Sequence, residues 1–451
     1  LILRREPASQ SGNMVAATEG AQLQDVQVVE SSLVTPSQGT PREQLWLSPI
    51  DLQLVNRGHT PTVYFYRPAV DDASAAGDFF DVARLKESMA RALVDFYPLA
   101  GRLGVDAGGR FVIDCNAEGA LLVVARSDVT VGDVSPSPEL KKLFVPRVEP
   151  WSSIMLAIQV TFLKCGGVAF GTALHHAAAD ATSAFRFFHK WSELCSGRDD
   201  GAMVETELPC HDRGLLRPRS PPFVSPDAFA VFCPKLTLTQ TSEPATSKVI
   251  TFSKDHVAAL KHACGGVSTF CALSAHVWRC VCVARGLPAD ATTRLTLPAN
   301  IRGRMEPPVP DSYFGNAIIW VGTSGMVRDI TSEGLADTAG RIRGAVRRMD
   351  DEVVRSAIDY FELAEKNGQP MPGNQPETDL RVISWLGMPV YDADYGWGKP
   401  QLMVRAESER SGFVYLMNDG AGVQVVVCAE TAILKELEKL LYRSESLPEI
   451  N

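Results

Sequence analysis

A chain of 451 residues exceeds one ordinary hydrophobic core and is expected to form two or three domains. Its 45% hydrophobic and 22% charged residues describe a soluble globular protein rather than a disordered or fibrous one. The formal charge of −9 argues against the basic face that nucleic-acid binding needs, while leaving room for a local patch around a phosphorylated ligand.

Residues 1–13, "LILRREPASQSGN", lack the apolar stretch of a secretory signal, and Met14 reads as the natural start. They are taken as an extraneous leader. Strands are predicted at "QVVESSLV", "TVYFYRP", "RFVIDC", "ALLVVAR" and "MLAIQVTFLKCGGVAFGTALHH". The last is a hairpin turning at Cys165–Gly166–Gly167. Helices are predicted at "DVARLKESMARALVDFYP", "SAFRFFHKWSELCSG", "DHVAALKHACG", "TFCALSAHVWRCVCVARGL", "EGLADTAGRIRGAVRRM" and "LKELEKLLYRS". Five prolines in residues 207–226 mark a surface-hugging crossover linker between an N-terminal domain (14–206) and a C-terminal domain (227–451). Both halves read as α/β. An irregular stretch at 366–378 precedes the strand-like "LRVISWL", and a segment near 380–405 is expected to pair with the N-terminal domain.

Ten cysteines lie scattered, most in apolar runs and none in a CxxC cluster. Reduced, buried thiols in a cytoplasmic protein are the expectation, with no zinc site and no metal. No run of about 18 apolar residues suggests a membrane span.

Two stretches carry chemistry. In "HHAAAD", period-two alternation sets His176 on one face with Val168, Phe170, Thr172 and Leu174, and His175 on the other. Asp180 falls where a helix begins and can accept backbone N–H bonds there. Alone, the dipeptide fits a packed histidine as well as a general base. In "YDADYGWGKPQ" (391–401), Gly396 and Gly398 flank Trp397, which fits a rigid turn. No GxSxG, GxxxxGK[ST] or HExxH motif occurs, and no strand-to-helix GxGxxG. What remains is base-assisted attack on an activated substrate.

Together "HHAAAD" and the downstream "DYGWGKP" resemble the HxxxD and DFGWG signatures of the BAHD family, the plant acyl-CoA-dependent acyltransferases. The blocks "LWLSPIDL", "HTPTVYFYRP", "YPLAGRL", "STFCALSAHVWRCVCVARGL" and "NIRGRMEPPVPDSYFGN" follow in the family's order. The hydroxycinnamoyl-CoA shikimate/quinate branch is the most similar. Ala181 stands where the family usually has glycine, and Tyr395 where it has phenylalanine.

The resemblance implies an α/β fold of two similarly built domains, chloramphenicol acetyltransferase-like, with a channel between them. It implies an enzyme of plant specialised metabolism, an acyltransferase moving groups other than amino-acyl groups. Acyl-CoA is then a co-substrate, with no permanently bound cofactor. By the same resemblance His176 is the base and the Trp385 indole the oxyanion donor. Asp180, Asp394, Arg302, Gly396, Trp397 and Gly398 are structural supports, with Asp394 expected to pair with Arg302. Lys254, Ser268 and Thr269 fall at CoA-binding positions. Thr60, Thr62, Tyr64 and Ile383 fall at acceptor-side positions.

The branch's carboxylate-binding arginine has no counterpart before Trp385, since Arg381 lies too close, and its threonine is Ile383 here. An unpaired buried carboxylate is disfavoured, so an acceptor without one, an alcohol, polyol or amine, is expected. Asp359, Glu362, Glu365, Glu377 and Asp379 are candidates to meet a cationic amine. The donor is expected to be a p-coumaroyl-, caffeoyl- or feruloyl-type thioester, and the chain a monomer with no nucleic-acid or membrane partner. Shikimate/quinate O-hydroxycinnamoyl transfer, an aliphatic or benzoyl donor, and a non-catalytic binding protein of the family's shape stay open. A trimeric acyltransferase of the dihydrolipoamide or chloramphenicol type is the remote alternative, its chains carrying one such domain each.

Overall fold

The computed structural model describes residues 26–68, 79–130, 139–148, 153–197, 208–232, 245–367, 379–405, 411–418, 420 and 422–443. The leader 1–13, Met14, Glu377 and most of the irregular 366–378 stretch lie outside them.

Eight strands come from the first half: β1 (Gln27–Val34), β2 (Gln44–Trp46), β3 (His59–Tyr66), β4 (Arg102–Val105), β5 (Phe111–Asp114), β6 (Ala120–Ser127), β7 (Leu156–Leu163) and β8 (Val168–His175). Seven follow: β9 (Ala245–Ser253), β10 (Thr292–Asn300), β11 (Ile318–Met326), β12 (Asp379–Ser384), β13 (Leu402–Arg405), β14 (Phe413–Asn418) and β15 (Gly422–Glu430). They form two six-stranded sheets, β1-β6-β7-β8-β3-β13 and β11-β10-β12-β14-β15-β9, and a small third sheet, β2-β5-β4.

The strand that crosses between the halves is β13, which pairs antiparallel with β3. The β12 strand, at the start of the 380–405 segment, does not cross. It lies in the second sheet, parallel to both β10 and β14. The linker is anchored at a few points. Most of 208–226 is exposed or half-buried, as a surface-hugging linker should be, but Arg213 and Leu216 are buried anchors within it and Arg219 pairs with buried Asp359.

Strand alternation decides what each sheet face does. In the second sheet Leu295, Leu297, Ile319, Val321, Leu380, Val382, Val414 and Leu416 point into that half's helical core. Their neighbours Pro298, Asn300, Ile318, Trp320, Ile383 and Tyr415 line a cavity instead. In the first sheet Val63, Phe65, Ala169 and Ala173 face an outer core, whereas Thr60, Thr62, Tyr64, Thr172 and Leu174 line the same cavity. The outer face of β8 is packed so closely that a Cβ on Gly171 would lie 1.7 Å from the Phe144 carbonyl oxygen. Only glycine fits there. The two faces thus leave a gap between the halves.

Candidate active site

The gap is a cavity of about 260 Å³. An adjoining cleft of about 790 Å³ shares Thr182, Phe185 and Met388 with it and runs along the helix Ala181–Ser196.

His176 follows β8 directly. Its backbone N–H donates to the Gly58 carbonyl (2.8 Å), and its side chain, half-buried, lines the cavity. His175 points away. It is buried, edge-on to His59 at 5.0 Å, and its Nδ1 accepts from the Ala177 N–H. Burial, then the Arg57 charge, lowers the His176 pKa to about 4, with Arg405 adding to the effect. The imidazole is therefore neutral at physiological pH and able to take a proton. Its Nδ1 makes no hydrogen bond to another described residue.

Two buried ion pairs hold the 176–180 turn. Asp180 caps the helix Ala181–Ser196, accepting from the Ser183 N–H at 2.9 Å. Both its oxygens also accept from Arg302, at 2.8 and 3.2 Å, and Oδ2 accepts from the Ala317 N–H. Arg302 therefore pairs with Asp180 and not with Asp394, as the sequence suggested, because the turn buries the Asp180 carboxylate directly against it. The second pair is Asp51–Arg213, at 2.6 Å. Arg213 donates to the Ala178 carbonyl, while Asn316 donates to the His176 carbonyl and to Asp51. Asp51, Arg213 and Asn316 are the supports that sequence reasoning missed. Asp51 and Asn316 sit in the "LWLSPIDL" and "YFGN" blocks, which carried the resemblance without being assigned roles. Ala181 is the first residue of a regular helix, a position that needs no glycine.

Trp385 follows β12, is 7% exposed and lines the cavity, with Phe185 edge-on at 5.6 Å and the Arg405 guanidinium 5.0 Å over its ring. Thr60, Thr62, Tyr64 and Ile383 line the cavity too, with Thr62 and Thr172 sharing a 2.6 Å hydrogen bond. Burial pushes the Tyr64 phenol well above its ordinary pKa.

The DYGWG turn lies elsewhere. Asp394 Oδ1 accepts from the Gly396 and Gly398 N–H groups, both at 2.9 Å. Trp397 stacks on Phe80 at 5.0 Å, with the Arg84 guanidinium 4.7 Å from its ring. Tyr395 is buried among Tyr66, Phe80, Phe170 and Trp191. Lys254 opens the helix Lys254–Ala263, and Ser268 caps the helix Thr269–Ala284. Neither these two nor Thr269 lines the cavity.

The acidic candidates are taken up in structure. Asp359 pairs with Arg219, Glu362 with Arg110 and Asp379 with Arg294; these three and Glu365 all lie off the cavity wall. The wall instead carries two cations, Arg57 and Arg405. Arg405 reaches that wall from β13, beyond Trp385 in the chain. Among the described residues no group of three His, Cys, Asp or Glu side chains could hold a metal ion. No helix among them is long and apolar enough to cross a membrane.

The model of the Transferase family matches residues 24–443. The chain is 42% identical over 443 residues to putrescine hydroxycinnamoyltransferase 1 of Oryza sativa subsp. japonica, covering 92% of this chain and 98% of the relative. It is 36% identical over 445 residues to shikimate O-hydroxycinnamoyltransferase of Nicotiana tabacum, covering 92% and 99%. The crystal structure of vinorine synthase shares the fold, with a TM-score of 0.73, 24% identity and coverage of 91% and 96%.

Proposed function

Because the chain belongs to the BAHD family of acyl-CoA-dependent acyltransferases, we propose that it moves a hydroxycinnamoyl group from CoA to the hydroxyl or amine of a small acceptor. The observation that carries this reading is a neutral His176 in a cavity shared with the Trp385 indole, on a turn held by two buried ion pairs.

The acceptor's O–H or N–H lies against the imidazole, which takes the proton as oxygen or nitrogen attacks the thioester carbonyl. A new C–O or C–N bond forms and the carbonyl electrons move onto oxygen. The Trp385 N–H stabilises that oxyanion. Collapse breaks the C–S bond, and the imidazolium returns its proton to the departing CoA sulfur. The thioester is already activated, so direct transfer needs no acyl-enzyme. Asp180 and Arg302 never meet the substrate in this scheme; they fix the turn that presents His176. Lys254, Ser268 and Thr269 are proposed to meet the CoA phosphates, since both helix N-termini favour anions. The two halves of one chain complete the cavity, which supports a monomer, and the cytoplasm is the proposed location.

Purified protein incubated with p-coumaroyl-CoA and a panel of alcohols and amines should give acylated product by mass. His176→Ala should lower the rate by about 10²–10⁴-fold with unchanged Tm. A variant as active as the parent would remove His176 from the mechanism.

A further inference from the structure

We infer that Asn316 is a positioning residue for the base. Its side-chain amide, oriented by the Asp51 carboxylate, holds the His176 carbonyl from the opposite half of the chain and thereby sets where the imidazole stands in the cavity. The assignment rests on the acyl-transfer reading of that cavity and names what keeps its base in register.

The geometry converges on one residue. Asn316 is fully buried just ahead of β11 and does not line the cavity, so it acts without meeting substrate. Its backbone N–H and its Nδ2 both donate to Asp51 Oδ1, at 3.1 and 2.8 Å, and Nδ2 also donates to the His176 carbonyl at 2.8 Å. Both side-chain partners are acceptors, so only the NH2 end of the amide can face them. Asp51 is itself fixed. Its Oδ2 accepts from the Ser48 N–H at 3.0 Å and from the Ser48 hydroxyl at 2.7 Å, while Oδ1 meets Arg213. An amide held in this way has one orientation and one reach.

On its other flank, the His176 N–H donates to the Gly58 carbonyl at 2.8 Å. The peptide groups on both sides of the His176 Cα are therefore pinned, one to the first half of the chain and one to the second. Arg302 engages Asp180 four residues further on, and Arg213 grips the Ala178 carbonyl. Those contacts hold the turn; Asn316 holds the residue that reacts. The backbone around Asn316 follows the same turn: the Gly315 carbonyl accepts from the Asp180 N–H, and the Ala317 N–H donates to Asp180 Oδ2. A Cβ on Gly315 would lie 2.7 Å from the Arg213 Cζ, so glycine is what lets the stretch come this near. A misplacement of about 1 Å can cost about 10²-fold in rate, and a residue that touches no ligand should exact that loss from kcat rather than from KM.

The test sets Asn316→Ala and Asn316→Asp beside Thr293→Val, a destabilised control that strips the buried Trp278 N–H of its acceptor in the second half's core. Turnover of p-coumaroyl-CoA with putrescine and with shikimate, Tm, and deuterium exchange of the peptide 174–180 are read on the full chain. Asn316→Ala should lower kcat about 10–100-fold with KM little changed. The peptide 174–180 should exchange about tenfold faster in that variant. Asn316→Asp, which sets a third acceptor against two others, should lose at least as much kcat. Thr293→Val should lower Tm while kcat and the exchange of 174–180 stay near those of the parent. A kcat loss no larger than that of Thr293→Val, a loss carried by KM, or unchanged exchange at 174–180 would overturn the assignment and leave acyl transfer standing. A parent chain that acylates neither acceptor, with 174–180 still loosened in Asn316→Ala, would count against the acyl-transfer reading and keep the Asn316 grip on His176.

Discussion

The HHAAAD and DYGWG turns are equally conspicuous in the sequence, and each holds an aspartate that accepts backbone N–H bonds. Their surroundings differ. Asp180 is 2% exposed, locked to Arg302 across the two halves and adjacent to the cavity. Asp394 ties together its own loop through Gly396 and Gly398, and the loop's rings pack against Phe80, Tyr66 and Trp191, off the cavity wall. One signature therefore fixes the turn that carries His176 to the cavity, while the other fastens two elements together. A motif marks where the fold tolerates little change; it does not say whether chemistry or packing sets the limit.

The sharpest way to break this contrast is Arg302→Ala. It strands the Asp180 carboxylate in the interior, and a loss of about 3–5 kcal/mol of stability with collapse of activity is expected in denaturant titration. Asp180→Asn combined with Arg302→Met should recover much of the stability, since no buried charge is left unpaired, but not the turn geometry that activity needs. Trp385→Phe keeps an aromatic ring, though a smaller one, and deletes the donor. A fall of about 10²–10³ in kcat with little change in Tm would separate an oxyanion role from packing. At the other turn, Gly396→Ala places a Cβ 2.3 Å from Arg84 Nη2 and 3.2 Å from the Ser196 Cα, at φ +99°. About 1–3 kcal/mol of stability should go, while the activity of each folded molecule survives. A per-molecule loss as large as that of His176→Ala would erase the distinction between the turns.

The smallest effect concerns pH. With the His176 pKa near 4, the acid limb of kcat/KM for a neutral acceptor should fall near pH 4 rather than near the ordinary histidine value. In the proposed mechanism the neutral imidazole is the working form, and Arg57 disfavours its protonation. Arg57→Gln should therefore move the limb upward, so that activity is lost at a higher pH.

Much of this site was legible because its signals are local. Alternation along β8 separated His176 from His175, and the Asp180 cap and the Cys165–Gly167 turn follow from neighbours in sequence. What escaped was long-range. Arg302 lies 122 residues from its partner, and nothing in local pattern distinguishes Asp180 from Asp394 as the mate of a distant guanidinium. The proline-rich stretch reads as surface because composition reports backbone habit; it is silent on Arg213, which that backbone delivers into the interior beneath the turn. In the helix Asp351–Lys366, Asp359 and Glu362 look in sequence like a ligand surface, yet they fasten Arg219 and Arg110.

The strand β13 has a consequence for how the chain is made. Within the first sheet, β3 gains its second neighbour only when residues 402–405 arrive, more than 330 residues after β3 itself. During synthesis the nascent first half carries an open sheet edge, with Val63, Phe65 and Tyr66 along it, until nearly the whole polypeptide has left the ribosome. Fragments ending at the linker should accordingly be poor folding units. The full-length chain should depend on holdase chaperones early and unfold as one cooperative body once β13 is in place.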